Sequence, residues 1–399
     1  MFLLLLGVKN GIGKHRSDVW YLSRSFILSA NNVNILLIAK AYPPVTGGLE
    51  TYSEQVALAY VRAGHAVTVI TAHHGATDLE IRGGVRIFNV GMGRQINVFI
   101  RMLIVLSKLR RNTEFDFVHA TSWRVALPAM VLLGSVKLLI SVHGREIFVV
   151  SKWLQPLMRA VFKRADIVVA VSQPIADGLQ AQLPFKLKYI GVAWNGISFA
   201  PPDRNWVEKS DPTHIFCMCR LVARKNLVRA VSAIATLHKE GLEFTFHIAG
   251  SGPEIDSINA VISQEGVDDK VKCLGRITDE EAIEEYSKAG IFLHPQIATE
   301  GGGDIEGFGI VIADAMVFGA VAVVGNSGGP KDFIQSWENG VLVEGREPVD
   351  ISDALRTLLA DVELQKKIAQ RGLEFAREHF TWKQHIATIE DFVQKKNTN

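Results

Sequence analysis

The segment Glu306-Gly-Phe-Gly-Ile-Val-Ile-Ala-Asp314 contains the pattern that decides the fold. It follows an apolar run at residues 291–295 and a glycine-rich loop at residues 299–303, and it opens a helical pattern at residues 309–318. An apolar strand, a glycine-rich loop and a helix in this order are typical of a parallel sheet covered by helices. The segment therefore predicts one strand–helix unit of an α/β fold.

The same unit repeats on both sides of this segment. Short apolar runs rich in β-branched residues alternate with amphipathic helical stretches. In the first part of the chain, strands are predicted at residues 34–39, 66–71, 85–90, 116–120, 136–142, 167–172 and 187–191. In the second part, strands are predicted at residues 214–219, 243–249, 270–274, 291–295, 320–324 and 340–343.

A polar stretch with three prolines, at residues 195–213, separates the two series and is predicted to be a linker. The sequence thus predicts two Rossmann-like doubly wound α/β domains, at residues 34–194 and 214–380. A final amphipathic helix lies within residues 381–399, with packing back onto the N-terminal domain as one option. Residues 1–33 precede the alternation and are expected to be an N-terminal extension.

The composition is that of a folded protein, with 48% hydrophobic and 21% charged residues. The three cysteines provide neither a disulfide framework nor the ligand set of a zinc site, so a reduced, cytoplasmic setting is expected. The apolar start lacks the features of a signal peptide. Because no run approaches the ~18–20 uncharged apolar residues of a membrane span, we expect no transmembrane segment.

The net charge of +2 hides two halves of opposite sign. Residues 1–194 carry 22 Lys and Arg against 10 Asp and Glu, whereas residues 195–399 carry 21 against 31. A basic half favours a nucleic acid, an anionic membrane surface or a phosphorylated substrate, and chance variation in surface charge is the alternative. We expect no nucleic acid as a partner, because the sequence shows no basic-aromatic motif.

Two helical patterns of the basic half favour an anionic membrane surface as a partner. Each places basic residues beside apolar ones, which is typical of helices that lie on anionic headgroups, although a solvated helix face would look similar. The basic residues are Lys108, Arg110 and Arg111 in one pattern and Lys152, Arg159, Lys163 and Arg164 in the other.

Candidate binding residues stand at strand-to-helix junctions, because parallel sheets bind ligands beyond the carboxyl ends of their strands. Gly47 and Gly48 follow the first strand, and Gly250 follows a strand of the second domain. Glycines at such places let the backbone approach a ligand or another segment closely. Arg220 and Lys225 follow one further strand, where two cations suit a diphosphate unless they form only a solvated surface pair.

The segment that decides the fold adds two further kinds of group. The backbone N–H groups of Phe308, Gly309 and Ile310 lie at a predicted helix N-terminus, which favours a phosphate or sugar oxygen. The carboxylates of Glu306 and Asp314 suit sugar or ribose hydroxyls. These groups, together with the two cations, suit a ligand that carries phosphates and hydroxyls, as nucleotides do.

His143 follows a predicted apolar strand and precedes Gly144, which favours a role in the site over a structural one. The whole set resembles the retaining glycosyltransferases of family 4 in order and spacing, over nearly all of residues 34–399. This resemblance implies the GT-B fold, in which two Rossmann-like domains face each other across a cleft. The matching positions are Gly47–Gly48, His143–Gly144, Asn195–Gly196, Arg220 with Lys225, residues 250–254 and residues 306–314.

The resemblance also implies roles for residues of the second domain. Arg220 and Lys225 would bind the diphosphate of the donor, and Glu306 would contact hydroxyls of the donor sugar. Asp314 would hold the ribose, although the family usually has glutamate there. Asp332 likewise stands where the family tends to have glutamate.

Further contacts are implied on both sides of the cleft. His143 would reach the donor sugar from the first domain, and Gly48 would approach the phosphate. The backbone of residues 308–310 would lie beside the donor sugar. Arg276 and Ile277 resemble the base-reading segment of the family.

The activity implied by the resemblance is transfer of a hexose from a nucleoside-diphosphate sugar to a saccharide or lipid-linked saccharide, with retention, in surface polysaccharide biosynthesis. No Asp-x-Asp motif is present to hold a metal, and no cofactor besides the donor substrate is expected. A nucleotide-sugar epimerase of the same fold and a non-catalytic nucleotide-sugar binding subunit are the alternatives. The expected location is the cytoplasm, with peripheral attachment to the inner face of the membrane as an option.

Overall fold

The computed structural model describes residues 32–44, 47–74, 79–134, 136–200, 211–299 and 304–395. In this part of the chain, two sheets covered by helices form two lobes, as the sequence predicts. Most of the expected N-terminal extension, part of the predicted linker and part of the loop at residues 299–303 lie outside the described residues.

The first lobe is built on an eight-stranded sheet. Its strands are β1 (Asn34–Ile38), β2 (Ala66–Thr71), β3 (Leu79–Arg82), β4 (Val85–Asn89), β5 (Phe117–Ala120), β6 (Lys137–Val142), β7 (Ile167–Ala170) and β8 (Ile190–Val192). Their order is β3-β4-β2-β1-β5-β6-β7-β8, and all neighbours are parallel except β3 and β4. Its helices are α1 (Gly48–Arg62), α2 (Gln95–Asn112), α3 (Leu127–Leu132), α4 (Arg145–Phe148), α5 (Gln155–Arg164) and α6 (Gln173–Gln182).

The second lobe is built on a six-stranded parallel sheet. Its strands are β9 (Asp211–Met218), β10 (Thr245–Ala249), β11 (Val271–Gly275), β12 (Ala289–His294), β13 (Val321–Gly325) and β14 (Val341–Val343), in the order β11-β10-β9-β12-β13-β14. Its helices are α7 (Leu227–Lys239), α8 (Ile255–Glu265), α9 (Asp279–Lys288), α10 (Ile310–Val317), α11 (Pro348–Ala360) and α12 (Val362–His379). The second sheet begins at Asp211, inside the stretch expected to be linker.

Each strand that the sequence predicts is present, with bounds that differ by a few residues. Every residue of β12 and β13 is buried, because helices cover both faces of a parallel sheet. The sequence prediction missed β3, all four residues of which are exposed. This strand pairs antiparallel at the sheet edge and therefore lacks the apolar run on which the prediction depends.

The C-terminal helix α13 (Trp382–Lys395) returns to the first lobe and contacts α1. Its buried residues Ile386, Ile389 and Phe392 join the core between α1 and the first sheet. Its first residue, Trp382, donates a hydrogen bond from Nε1 to the carbonyl oxygen of Ile197 in the connection between the lobes, at 2.8 Å. Within the described residues, every helix is too short or too polar to cross a bilayer.

Candidate active site

The two lobes meet where the carboxyl end of β6 faces the segment before α10. His143 follows β6, and its carbonyl oxygen would lie 2.0 Å from a Cβ atom placed on Gly307. A Cβ atom placed on Gly144 would have the carbonyl oxygen of Ile305 at 3.8 Å. The backbone of the first lobe therefore touches residues on both sides of Glu306, which brings His143 and Glu306 into one crevice.

Glu306 is buried, with 9% of its surface exposed, and two cations contact its carboxylate. Nη1 of Arg224 lies 2.6 Å from Oε2 of Glu306, and Nζ of Lys225 contacts the same oxygen. Asp304 adds a second carboxylate, 3.3 Å from Nε of Arg224. Both cations belong to the short 3₁₀ turn Ala223–Lys225 that follows β9, so one turn presents two adjacent positive charges to the crevice.

At Glu306, the charges of neighbouring side chains affect the pKa more than burial does. Burial by itself would raise the pKa of Glu306, but the charges of Lys225 and Arg224 hold this pKa well below its usual range.

Nζ of Lys225 also lies 2.9 Å from Nε2 of His294. Burial and the charge of Lys225 lower the pKa of His294 to about 3, so the imidazole is neutral and accepts from Lys225. The Nδ1 atom then donates to Oε1 of Gln296, at 2.7 Å.

The start of α10 presents backbone N–H groups, as the sequence predicts. Gly309 precedes the helix with a φ of 86°, a conformation that glycine adopts without strain, and Ile310 is the first helical residue. The side chain of Phe308 packs between Phe333 and Phe380, with ring centres 5.2 and 5.3 Å away. Only the backbone of Phe308 is therefore available to a ligand.

Gly328 and Gly329 pack closely against the backbone of the segment that carries Glu306. A Cβ atom on Gly328 would lie 2.3 Å from the carbonyl oxygen of Glu306, and one on Gly329 would lie 2.1 Å from that of Gly307. The N–H of Gly329 donates to the carbonyl oxygen of Glu306 at 2.8 Å. Only glycine permits this approach, which fixes the backbone that carries the carboxylate.

Asp314 is buried against the connection between the lobes. Asp314 is 1% exposed, and its Oδ1 atom accepts a hydrogen bond from the N–H of Ser198 at 2.6 Å. The other oxygen, Oδ2, has no hydrogen-bond partner among the described residues. Burial raises the pKa of Asp314 to about 7, against the opposing effect of the Ser198 N–H. Its predicted contact with a ribose stays a prediction, for which Oδ2 is the available atom.

This raised pKa makes a prediction about stability. Because the unfolded chain releases this proton near pH 4 and the folded protein near pH 7, the contribution of Asp314 to wild-type stability should fall across this interval, by at most about 1.4 kcal/mol per pH unit. Asp314→Asn keeps an acceptor for Ser198 but does not titrate. Its melting temperature relative to wild type should therefore rise by several degrees between pH 5 and pH 8.

Thermal unfolding of both proteins at the two pH values measures this difference. Asp269→Asn, at an exposed position of a turn, is the control and should show a constant difference from wild type. An Asp314→Asn difference that does not change with pH would show that the Asp314 carboxylate keeps an ordinary pKa in the folded protein.

A second group of predicted residues lies at the ends of β9, β10 and β11. Arg220 is exposed, and its side chain makes no hydrogen bond or ion pair with a described residue. Nε of Arg276 contacts Oγ of Ser251 at 3.0 Å, and Ser251 accepts a backbone hydrogen bond from Leu221 at 3.0 Å. Arg276 is thus linked through Ser251 to Leu221, the residue that follows Arg220. Ile277 is half-buried.

Two contacts at this corner were not predicted. Lys225 shares Glu306 with Arg224, which occupies the same turn, whereas Arg220 precedes this turn. The expected binding of a diphosphate by Arg220 and Lys225 stays a prediction. Gly250 serves a contact within the second lobe: a Cβ atom there would lie 1.8 Å from the carbonyl oxygen of Cys219. Gly250 therefore permits close packing against the end of β9.

His143 has one buried ring nitrogen without a partner among the described residues. Its Nε2 atom is buried and has no hydrogen-bond partner among the described residues, and burial lowers the pKa of the ring. The ring packs edge-on against Tyr52 with centres 4.5 Å apart. The Tyr52 hydroxyl hydrogen-bonds with Ser141 at 2.7 Å and His385 at 3.2 Å, so Tyr52 is held in place from β6 and α13. The ring of His143 is therefore held in place by Tyr52, and its predicted contact with a donor sugar stays a prediction.

The predicted glycine pair of the first lobe stands at the start of α1. Gly47 precedes the helix and Gly48 is its first residue. A Cβ atom on Gly48 would have no described heavy atom within 4 Å, so that side of the helix start is open. A Cβ atom on Gly47 would lie 2.5 Å from Oε2 of Glu50. The predicted approach of a phosphate to Gly48 stays a prediction.

Two family models match most of the chain. The model described as Glycosyltransferase Family 4 matches residues 46–200, and the model described as Glycosyl transferases group 1 matches residues 202–375. The chain belongs to glycosyltransferase family 4. It is therefore an enzyme of the glycosyltransferase class, and the resemblance inferred from the sequence is confirmed.

Curated relatives of this family 4 glycosyltransferase cover almost its whole length. The GDP-mannose-dependent alpha-(1-6)-phosphatidylinositol monomannoside mannosyltransferase of Mycobacterium tuberculosis is 27% identical over 384 residues, which are 90% of this chain and 98% of the relative. A glycogen synthase of the same organism is 25% identical over 395 residues, 89% of this chain and 93% of the relative.

Solved structures of other glycosyltransferases share the fold of this family 4 enzyme. Sucrose-phosphate synthase from Thermosynechococcus elongatus superposes with a TM-score of 0.75 at 18% identity, over 92% of this chain and 100% of that chain. HepE from Anabaena in complex with UDP and glucose superposes with a TM-score of 0.72 at 19% identity, over 91% and 100%. The predicted GT-B fold is confirmed.

Several groups of the candidate site of this glycosyltransferase were not predicted from the sequence. Arg224 and Asp304 join the ion pair of Glu306, and His294 contacts Lys225. For His294 a signal existed, because it lies near the carboxyl end of the apolar run at residues 291–295, and ligands of parallel sheets bind beyond such ends. Arg224 stands next to Lys225 in the sequence, but its direction depends on the 3₁₀ turn and no spacing rule indicates it.

Proposed function

We propose that this glycosyltransferase moves a hexose from a nucleoside-diphosphate sugar to a saccharide or lipid-linked saccharide, in the cytoplasm, during surface polysaccharide assembly. The observation that carries the proposal is the single crevice formed by Lys225, Arg224 and Glu306 of the second lobe with His143 of the first. The name of the mycobacterial relative, which gives GDP-mannose as donor and a phosphatidylinositol mannoside as acceptor, supports a lipid-linked acceptor.

The donor diphosphate would lie between the cations and the start of α10. Lys225 and Arg220 supply positive charge, and the N–H groups at Gly309 and Ile310 point toward the helix N-terminus. These groups stabilise the negative charge that develops on the diphosphate as it leaves, which needs no metal ion. We therefore propose a metal-independent reaction.

The donor sugar would lie between Glu306 and His143. The ionised carboxylate of Glu306 accepts hydrogen bonds from sugar hydroxyls, and the free Nε2 of His143 gives a further contact from the opposite lobe. No described side chain is proposed as a nucleophile. We propose retention through attack of the acceptor from the side of the leaving diphosphate, whose oxygen receives the acceptor proton.

A donor panel followed by a transfer assay tests this function. Nucleoside diphosphates and their sugars are screened by thermal shift, since a ligand that binds the folded state raises the melting temperature. The stabilising donor is then incubated with lipid-linked saccharides, and the anomeric configuration of the product is determined. Transfer should require the acceptor and should persist in EDTA below the melting temperature. Isomerised donor without any acceptor would indicate an epimerase instead, and stabilisation without any turnover would indicate a binding subunit.

We further propose that the first lobe attaches peripherally to the inner face of the membrane. Ile96, Ile100 and Ile104 lie on one face of α2 at helical spacing and are 60%, 46% and 50% exposed. Lys108 and Arg111 continue this face and are exposed. An exposed apolar stripe that ends in basic residues is suited to anionic headgroups.

A second exposed apolar group extends this surface. Trp153, which is 78% exposed, lies in the 3₁₀ turn Lys152–Leu154 just before α5. Leu157 lies in the first turn of α5, and the basic residues Lys152 and Arg159 are close in sequence. The helix α3 contacts both α2 and α5, so these exposed groups belong to one layer of helices. The layer thus presents isoleucine, tryptophan and several cations together, as membrane-surface proteins do.

Flotation with vesicles checks the membrane proposal. The protein should float with vesicles that contain anionic lipid, less at high salt, and not with neutral vesicles. Ile100→Ser combined with Ile104→Ser should lower flotation several-fold, because both apolar side chains are lost from the stripe. Val349→Ser removes a side chain of similar exposure from the second lobe and should change nothing. Equal flotation with neutral and anionic vesicles would contradict the proposal.

A further inference from the structure

A second cluster of titratable side chains lies in the second lobe, away from the crevice. His214 lies in β9, His247 in β10 and Glu285 in α9. Nε2 of His214 is 3.0 Å and Nδ1 of His247 is 2.9 Å from the same oxygen, Oε2 of Glu285. The three atoms all lie within 4.8 Å of one another. The mechanism proposed above uses none of these residues.

The fold brings the cluster together from three elements. His214 is the register partner of Thr245 in the sheet, and His247 stands two residues after Thr245, so both histidines project from the same face. The helix α9 covers this face and buries Glu285 against it. A capping box at Thr278, in which the side chains and N–H groups of Thr278 and Glu281 bond reciprocally, fixes where α9 begins.

We propose that His214, His247 and Glu285 bind one Zn²⁺ ion or a similar divalent transition metal, with water as the fourth ligand. Two imidazole nitrogens and a carboxylate oxygen are a donor set that zinc accepts in tetrahedral geometry. Neighbouring ligands of such a site are about 3.3 Å apart, since zinc lies about 2.0–2.1 Å from each. The carboxylate oxygen is somewhat closer to both nitrogens, so a small rotation of the side chains makes room for the ion.

The surroundings of the cluster suit a metal in two further ways. Nδ1 of His214 lies 2.7 Å from Oγ1 of Thr245, a partner that fixes the ring with Nε2 toward the ion. The side chain of His247 is 26% exposed, which leaves a route for the ion and room for water.

The ion would tie α9 to β9 and β10 and leave the transfer reaction untouched. The crevice lies beyond the carboxyl ends of these strands, whereas His214 stands in the body of β9 and Glu285 on the helix that covers it. Bound zinc should therefore raise the melting temperature by at least about 2 °C at saturation, because it binds the folded state. This inference does not rest on the proposed function, and metal-stripped protein below its melting temperature should keep its transfer rate.

Isothermal titration of the full chain, without a polyhistidine tag and stripped with EDTA, tests the site with Zn²⁺ alone. Wild type should bind one ion per chain, and His247→Gln and Glu285→Gln should each weaken this binding at least tenfold. His65→Gln is the matched control, because His65 pairs with Glu390 at 2.7 Å without a second histidine. This variant should bind zinc like wild type.

Absence of stoichiometric zinc binding by wild type, or equal binding by wild type and both cluster variants, would overturn the proposal. If either cluster variant does not fold, wild-type crystals soaked in zinc give the answer by anomalous scattering. A peak should appear within about 2.5 Å of all three ligand atoms. A peak elsewhere, or no peak, would also overturn it.

Discussion

Glu306→Gln should lower the rate of transfer at least about a hundredfold, the loss expected when one preorganised electrostatic contact is removed from an active site. The substitution keeps the shape of the side chain but removes the charge that Lys225 and Arg224 share. Binding of nucleoside diphosphate should be unchanged or tighter, because the crevice then repels the diphosphate less. The expected result is therefore a split, in which turnover falls and diphosphate affinity does not.

Steady-state kinetics and titration with the diphosphate measure the two quantities. Asp166→Asn is the matched control, since Asp166 is a carboxylate held by one arginine and one lysine, Arg164 and Lys188, in the first lobe. It should leave both quantities unchanged. Because Glu306→Gln leaves two buried cations without their partner, its melting temperature is measured in parallel. A folded Glu306→Gln protein with wild-type turnover would refute the catalytic role.

Lys225→Met should weaken diphosphate binding and turnover together. The lysine is buried, and a charge-assisted hydrogen bond in such a place contributes about 1.5–3 kcal/mol, which is about 10–150-fold in affinity. Methionine keeps much of the length and apolar contact of the side chain but not the ammonium. Glu306 keeps Arg224 as its partner, which limits the structural effect.

Comparison with two other cations makes this test sharper. Arg220→Ala should weaken diphosphate binding as well, since Arg220 is exposed at the end of β9 and has no described side-chain partner. Lys188→Met removes a lysine from the control ion pair with Asp166 and should have no effect. Unaltered kinetics in both Lys225→Met and Arg220→Ala would contradict a cationic site for the donor.

Much of the fold could be predicted because the relevant signals are local. Apolar runs alternate with amphipathic stretches, and this alternation depends only on neighbours along the chain. Each strand predicted from this alternation is present in the structure, and α10 begins where it predicts. It failed at β3, whose four exposed residues carry no apolar run and whose pairing depends on β4.

The site was predictable in part. Glycines and charges at the ends of strands indicated Glu306, Lys225 and His143, and the structure brings these residues to one crevice. Sequence spacing did not reveal Arg224 as the second partner of Glu306, because a 3₁₀ turn sets its direction. Asp314 shows the same limit, since its contact with Ser198 joins residues that are far apart in the chain.

The sequence alone was enough to predict the two α/β lobes, the strand ends that form the candidate site and the opposite charges of the two halves, since periodicity and composition do not depend on the folded structure. Only the tertiary structure decided which cations share Glu306, that Asp314 lies on the connection between the lobes, and that His214, His247 and Glu285 meet. The physical reason is that ion pairs and metal-ligand sets depend on distances of a few ångströms between distant segments, which folding alone creates.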